Sequence, residues 1–189
     1  MKLSLIVFRH GETSFNKDWI FCGWINAPLN KNGERQVKVL AKKLGREKID
    51  YAFCSDQLRS MQTLAAVLEY HSKVRVVIDH RIRERNYGVF SGLSKIVFQR
   101  LFPRYFEEVH RGYHTKIPGG ENFFQVSKRV FPFMNDLIKF MHENKCNVAI
   151  SAHGNSMRLI QEYLENLSHE ETVKIENPPA AYKKYYIIF

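Results

Sequence analysis

Two histidines occupy matching places in this 189-residue chain. His10 lies in Arg9-His10-Gly11-Glu12 and His153 in Ala152-His153-Gly154-Asn155, each just after an apolar run. Neutral imidazole is nucleophilic near pH 7, and a backbone carbonyl on one ring nitrogen fixes the tautomer that leaves the other free to attack. His10 therefore suits a phosphoryl acceptor. Arg9 offers a guanidinium fork matched to planar phosphate oxygens, and Gly11, lacking a Cβ, lets the backbone approach closely. A protonated His153 facing the transferring group would complement the charge on its equatorial oxygens. The competing interpretation is a pair of strand-end turns that do no chemistry.

Other charged residues fit the same chemistry. Ser55-Asp56-Gln57-Leu58-Arg59 follows a short apolar run and opens a helix, so Arg59 stands near a helix N-terminus, which itself favours an anion. Arg59 is a second phosphate clamp or, as a lone Arg in a first helical turn more often is, a solvated surface group. Arg83-Glu84-Arg85-Asn86-Tyr87-Gly88 sets one carboxylate between two arginines. Glu84 can exchange a proton with a leaving or incoming oxygen if bound phosphate raises its pKa toward neutrality. Its alternative is a surface salt-bridge cluster worth little.

Alternating strands and helices must position these groups. Leu3 to Phe8 reads as a strand buried on both faces of a parallel sheet. From Glu34, Val37, Leu40, Ala41 and Leu44 repeat at helical spacing until Gly45. Asp50 to Cys54 is a second strand, with Ser55-Asp56 as N-cap chemistry for a helix to Leu68. Lys73 to Ile78 is a third strand. A polar loop over 79–92 leads to helices around 93–101 and 104–110, and Pro118-Gly119-Gly120 precedes a long helix over 121–143. Asn147 to Ser151 is a strand ending at the second His-Gly, 155–166 is helical, and Lys184 to Phe189 is a final edge strand. No repeat or low-complexity tract interrupts this order.

Composition narrows the class. With 44% hydrophobic residues the chain can bury a full core as one α/β domain, with a helical insertion at about 93–120. Lys and Arg number 29 against 19 Asp and Glu, a formal +10 that favours anionic partners without choosing among metabolites, nucleic acid and acidic membranes. The aromatics fall mostly in apolar runs and no nucleic-acid motif is present, which argues against a nucleic-acid or phosphopeptide binding module. Cys22, Cys54 and Cys146 have neither disulfide-framework nor metal-ligand spacing. The run Leu3 to Phe8 is too short for a signal-peptide core, and no stretch reaches the roughly 20 apolar residues of a membrane span. A cytoplasmic protein acting away from membranes is expected.

Taken together, RHGE at 9–12, SDQLRSMQT at 55–63, ERNYG at 84–88 and AHGNSMR at 152–158 resemble the histidine phosphatase superfamily, in the same order and across nearly the whole chain. The resemblance implies a three-layer α/β/α sandwich with a mostly parallel central sheet. It makes His10 the phosphohistidine, gives Arg9, Arg59 and His153 the phosphoryl group to hold, and makes Glu84 the acid/base. No metal or nucleotide is implied.

Within that superfamily, further strings resemble the cofactor-dependent phosphoglycerate mutase branch. These are Phe15-Asn16, Phe21-Cys22-Gly23-Trp24, Asn26 to Leu29, Glu84 to Lys95, and Asn155-Ser156 with Tyr163 to Ser168 beyond. By this likeness Thr13, Asn16, Cys22, Gly23, Tyr87, Lys95, Arg111 and Asn155 line a pocket for a small phosphorylated substrate. The expected activity interconverts 3- and 2-phosphoglycerate, primed by 2,3-bisphosphoglycerate. Members of the family are often dimers or tetramers, so a homodimer or higher homo-oligomer stays open.

Departures from the mutase pattern pull toward hydrolysis of phosphomonoesters, the alternative activity. Cys22 stands where mutases carry Ser or Thr. The segment with paired arginines is shortened to Val109–Glu121, where Arg111 clearly remains and Lys116 can help. Pro118-Gly119-Gly120-Glu121 resembles the short phosphatase members, and the extended tail of longer mutases is missing.

Overall fold

The computed structural model describes residues 1–189. Strands β1 (Lys2–Arg9), β2 (Tyr51–Cys54), β3 (Arg75–Ile78), β4 (Val148–Ala152) and β5 (Tyr182–Ile188) form one sheet in the order β3-β2-β4-β1-β5. All neighbours are parallel except β5, which closes the β1 side antiparallel. The helices are α1 (Ser14–Lys17), α2 (Lys31–Leu44), α3 (Leu58–Leu68), α4 (Lys95–Leu101), α5 (Pro103–Arg111), α6 (Phe123–Asn144), α7 (Gly154–Glu165) and α8 (His169–Lys174).

The layers follow from the two-residue period of β1. Leu3, Leu5 and Val7 point to one face, where they meet Val130, Met134 and Leu137 of α6 and Leu159 and Ile160 of α7. Ile6 and Phe8 point to the other, against Leu40 and Leu44 of α2 and Leu64 and Val67 of α3. Because both faces are covered, the run is apolar apart from Ser4, whose hydroxyl donates to Asn147 Oδ1 at 3.0 Å. Each fully buried side chain of this kind contributes about 1.5–3 kcal/mol. A third cluster joins Phe98 of α4 and Phe106 and Val109 of α5 to Phe21, Tyr87, Phe90 and Ile117.

Register brings the strand ends level. Arg9 pairs with Ala152 across β1 and β4, and Cys54 with Ser151 across β2 and β4. Hence His10 and His153 leave the sheet level with each other, and Ser55 one residue below them. The sheet reverses its order here, since the chain passes from β1 outward to β2 and β3 and returns to place β4 between β1 and β2. Such switch points open a crevice at the carboxyl ends of the strands.

Several local expectations need correction. Strand β3 starts at Arg75, not Lys73, because Lys73 takes a left-handed φ of 65° that breaks an extended run. Ser55-Asp56 does not cap α3. The cap position is Gln57, the Ser55 hydroxyl accepts from Gln57 N–H at 3.2 Å, and Asp56 instead accepts from Arg83 Nε at 2.6 Å. The short helices α1 and α8 were not anticipated. The α8 start carries a readable signal, Ser168-His169-Glu170-Glu171, whose capping box is formed in full.

Gly11 plays a different part from the one its sequence position suggests. A Cβ there would lie 2.7 Å from Gly33 O and 2.8 Å from Val37 Cγ1, so its bare side faces α2 and not a bound phosphate. Gly33 is the reciprocal contact. A Cβ on it would overlap the Glu12 carbonyl oxygen and sit 2.8 Å from Glu12 N. Helix propensity alone favours Ala over Gly by roughly 0.5–1 kcal/mol, whereas overpacking against backbone costs about 1–3 kcal/mol. Gly33→Ala should therefore lower the unfolding free energy by about 1–2 kcal/mol in denaturant titration. A raised midpoint would show that the loop gives way freely.

Candidate active site

His10 begins the loop after β1 and is buried, at 2% exposure. Its backbone N–H donates to Ala152 O at 3.1 Å, extending the β1–β4 ladder by one rung. Its Nδ1 lies 2.7 Å from Gly11 O, which can only accept, so Nδ1 carries the proton. Nε2 then holds a lone pair, and Arg59 Nε donates to it at 3.3 Å. Burial, followed by the charges of Arg59 and Arg9, holds the ring pKa well below 6.5 despite the Gly11 bond. The imidazole is neutral at pH 7, with its nucleophilic nitrogen among guanidinium donors.

Arg59 is 1% exposed and makes its remaining bonds to the carbonyls of Gly23 (2.8 Å) and Ile25 (3.0 Å). Arg9 Nη1 donates to Asn177 O at 2.6 Å. Both guanidiniums reach the cavity bonded to main-chain carbonyls, with Arg9 Nε left without a hydrogen-bond partner and the Glu84 carboxylate as the nearby countercharge.

His153 lies beneath His10, fully buried, with ring centroids 5.1 Å apart. Its Nε2 is 2.7 Å from Ser55 Oγ. Burial first, then Arg59, His10 and Arg9, push its pKa well below 6.5.

Glu84 is also buried and is not paired with its neighbours in sequence. Arg83 turns to Asp56, while Arg85 is sandwiched 4.6 Å from the Tyr87 ring and 4.7 Å from that of Phe123. One Glu84 oxygen accepts from Arg85 N–H (2.8 Å) and Asn155 N–H (3.1 Å). Burial pushes its pKa up, but the Arg85 N–H, the Arg59 and Arg9 charges and the Asn155 bond outweigh this and leave it below 4.5. Its backbone is held as firmly. Gln57 Oε1 accepts from Glu84 N–H at 2.9 Å, and Trp24 Nε1 (2.8 Å) and Arg129 Nη2 (3.0 Å) donate to Glu84 O.

One cavity of about 340 Å³ gathers most of the expected residues: Arg9, His10, Asn16, Cys22, Gly23, Arg59, Glu84, Tyr87, Lys95, Arg111 and Asn155. His153 is behind this wall. Thr13 is not in it, because its hydroxyl is fully buried in the capping box of α1, donating to Asn16 Oδ1 at 3.0 Å. Cys22 donates from Sγ to Ile25 O at 3.4 Å, and burial pushes its thiol pKa up. Tyr87 Oη accepts from Asn155 Nδ2 at 3.2 Å.

Sequence reasoning missed Arg158, His110, Glu12, Trp19, Ile20 and Glu176, which also line the cavity. Arg158 was legible in principle. It stands three residues after Asn155 on α7, on the same helical face, and Arg158 Nη1 donates to Asn155 Oδ1 at 3.0 Å. Burial, then the Arg111 charge, brings its pKa down to about 10. His110 also faces the cavity; burial, then the Lys95 and Arg111 charges, push its pKa down to about 3. No cluster of three or more His, Cys, Asp or Glu side chains is arranged to hold a metal ion. No helix is long and apolar enough to cross a membrane.

The family model of the histidine phosphatase superfamily, branch 1, matches residues 5–187. The chain belongs to this superfamily. Among curated members, it is 33% identical to a 2,3-bisphosphoglycerate-dependent phosphoglycerate mutase of Mesorhizobium japonicum, over 93% of this chain and 88% of that protein. It is 30% identical to the enzyme of the same name from Methanococcus vannielii, over 93% and 86%. Among solved structures, a mycobacterial glucosyl-3-phosphoglycerate phosphatase complexed with VO3 superposes with a TM-score of 0.84 at 25% identity, covering 96% of this chain and 90% of that one.

The buried imidazoles of this superfamily member have a consequence for stability. His10 and His153 resist protonation when folded, whereas in the unfolded chain they bind protons near pH 6.5. The unfolded state then holds more protons, so stability falls as pH drops below 6.5, at up to about 1.4 kcal/mol per pH unit for each histidine. His10→Gln should flatten the fall in unfolding free energy between pH 7 and 5. An unchanged slope would mean that His10 titrates normally.

Proposed function

We propose that the protein transfers phosphoryl groups through Nε2 of His10 and interconverts 3- and 2-phosphoglycerate, primed by 2,3-bisphosphoglycerate. The observation that carries this is the Gly11 carbonyl on Nδ1, which leaves Nε2 as a neutral nucleophile beside Arg59. Kinship at about a third identity with mutases supports the substrate.

In this mechanism Nε2 attacks phosphorus, and the bond from phosphorus to the bisphosphoglycerate oxygen breaks. Arg9 and Arg59 complement the equatorial oxygens, and His153, protonated once the dianion is bound, adds a third positive group. Glu84 starts ionised. A bound phosphate beside it raises its pKa, so it can protonate the leaving oxygen and retrieve a proton from the hydroxyl that attacks phosphohistidine in the return step. Farther out, Lys95, Arg111 and Arg158 take the substrate carboxylate, while Asn16, Tyr87 and Asn155 offer polar contacts to the glycerate. The enzyme works in the cytoplasm on a small anionic metabolite and needs no metal.

Phosphomonoester hydrolysis is the second activity to weigh, favoured by one feature. Pro118-Gly119-Gly120 packs directly on the Tyr87-Gly88 turn, with Val89 N–H donating to Pro118 O at 3.1 Å. The shortened segment leaves less chain on that side of the cavity to keep water from phosphohistidine.

Incubation with 3-phosphoglycerate, with and without the bisphosphate, separates the two. Bisphosphate-dependent formation of 2-phosphoglycerate is expected, and phosphate release without isomerisation would select the phosphatase. Glu84→Gln should lower turnover at least about 10²-fold while ligand binding persists. Undiminished turnover would remove Glu84 from the mechanism.

A further inference from the structure

Beyond α8 the chain crosses the cavity mouth as an extended strap. Three cavity arginines donate to alternate carbonyls from the last turn of α8 into it: Arg111 Nη1 to Val173 O (2.6 Å), Arg158 Nε to Ile175 O (2.7 Å) and Arg9 Nη1 to Asn177 O (2.6 Å). The strap is pinned further by Asn177 Nδ2 donating to Gln161 Oε1 at 2.8 Å and by Ala180 N–H donating to His10 O at 3.1 Å. Between these latches the Glu176 carboxylate bonds to Arg111 Nη2 and lies 3.6 Å from Arg158 Nη2.

We propose that Glu176 is a specificity-determining residue, an internal anion that occupies the outer arginine pair and competes with the second anionic group of a substrate. The inference rests on the proposal that the inner site at His10, Arg9 and Arg59 receives a phosphoryl group. Three observations carry it. Glu176 lines the same cavity as those residues. Its side chain is 70% exposed while those of Arg111 and Arg158 are 26% and 11% exposed, so the carboxylate keeps its water and is held weakly. The arginines do not depend on it, since each keeps a main-chain carbonyl when the carboxylate swings away.

Glu176 therefore tunes discrimination and leaves phosphoryl recognition alone. A ligand bearing phosphate and carboxylate must displace it, whereas inorganic phosphate at the inner site need not. Removing its charge favours the first ligand over the second.

Calorimetric titration of the whole protein with 3-phosphoglycerate and with inorganic phosphate tests this in the parent and in Glu176→Gln. The expected result is roughly two- to five-fold tighter binding of 3-phosphoglycerate, the span of a weak exposed ion pair, with phosphate affinity changed less than that. Equal tightening of both ligands would reduce Glu176 to a general field effect, and unchanged affinity for both would show that it does not compete; either result overturns the inference while the His10 site stands. Failure of the parent to bind either ligand would instead overturn the inner site, and this inference with it. A melting temperature equal to that of the parent shows that Glu176→Gln is folded.

Discussion

Guanidinium groups withdrawn from water and bonded to main-chain carbonyls organise this molecule. Arg59 is almost wholly buried and donates to the carbonyls of Gly23 and Ile25, while Arg85, buried between the Tyr87 and Phe123 rings, donates only through Nη2, to the carbonyls of Val109 and His110. Arg129 bonds the carbonyls of Arg81, Arg83 and Glu84. Arg9, Arg111 and Arg158 tie down alternate residues from the last turn of α8 into the strap. A carbonyl satisfies an N–H without cancelling the charge, so the loops around the cavity become ordered while its potential stays positive. An anion arriving there meets donors already aimed and already dehydrated.

That positive field adds to what burial does to the titratable groups it encloses. Burial first, and then the field, keeps both imidazoles neutral, while the Arg85 N–H and the field hold Glu84 ionised against its burial. In the proposed mechanism a phosphoryl dianion opposes both shifts, so that acid/base competence follows from binding. Glu121 adds a structural counterweight, pairing with Arg129 and accepting from Asn86 N–H, so that the loop bearing Glu84 is clamped from outside the cavity.

How much of this could be read beforehand depended on whether the cause was local. The two-face burial of β1 and β4 forces largely apolar runs, and those runs located His10 and His153. The order of motifs located Arg9, Arg59 and Glu84. Residues whose place is set by tertiary approach were not legible in that way. His110 reaches the cavity only because α5 packs on Phe21 and Phe98, and Glu176 only because the strap returns to β1. Gly11 looked like a phosphate contact, but its bare side is spent on Gly33, a partner 22 positions away. Thr13 looked like a ligand contact and turned inward as a helix cap. Lys73 broke a strand through its backbone angle, which side-chain pattern does not reveal.

The Gly11 carbonyl on Nδ1 is the central claim, because it decides which nitrogen accepts phosphorus. The direct measurement is phosphorus–nitrogen correlation by NMR on ¹⁵N-histidine-labelled protein after brief exposure to 2,3-bisphosphoglycerate at alkaline pH, where phosphohistidine persists. A phosphoramidate on Nε2 of His10, labile in acid and absent from His10→Ala, is the predicted result. Phosphorus on Nδ1, on His153, or on no histidine of an active preparation would contradict it.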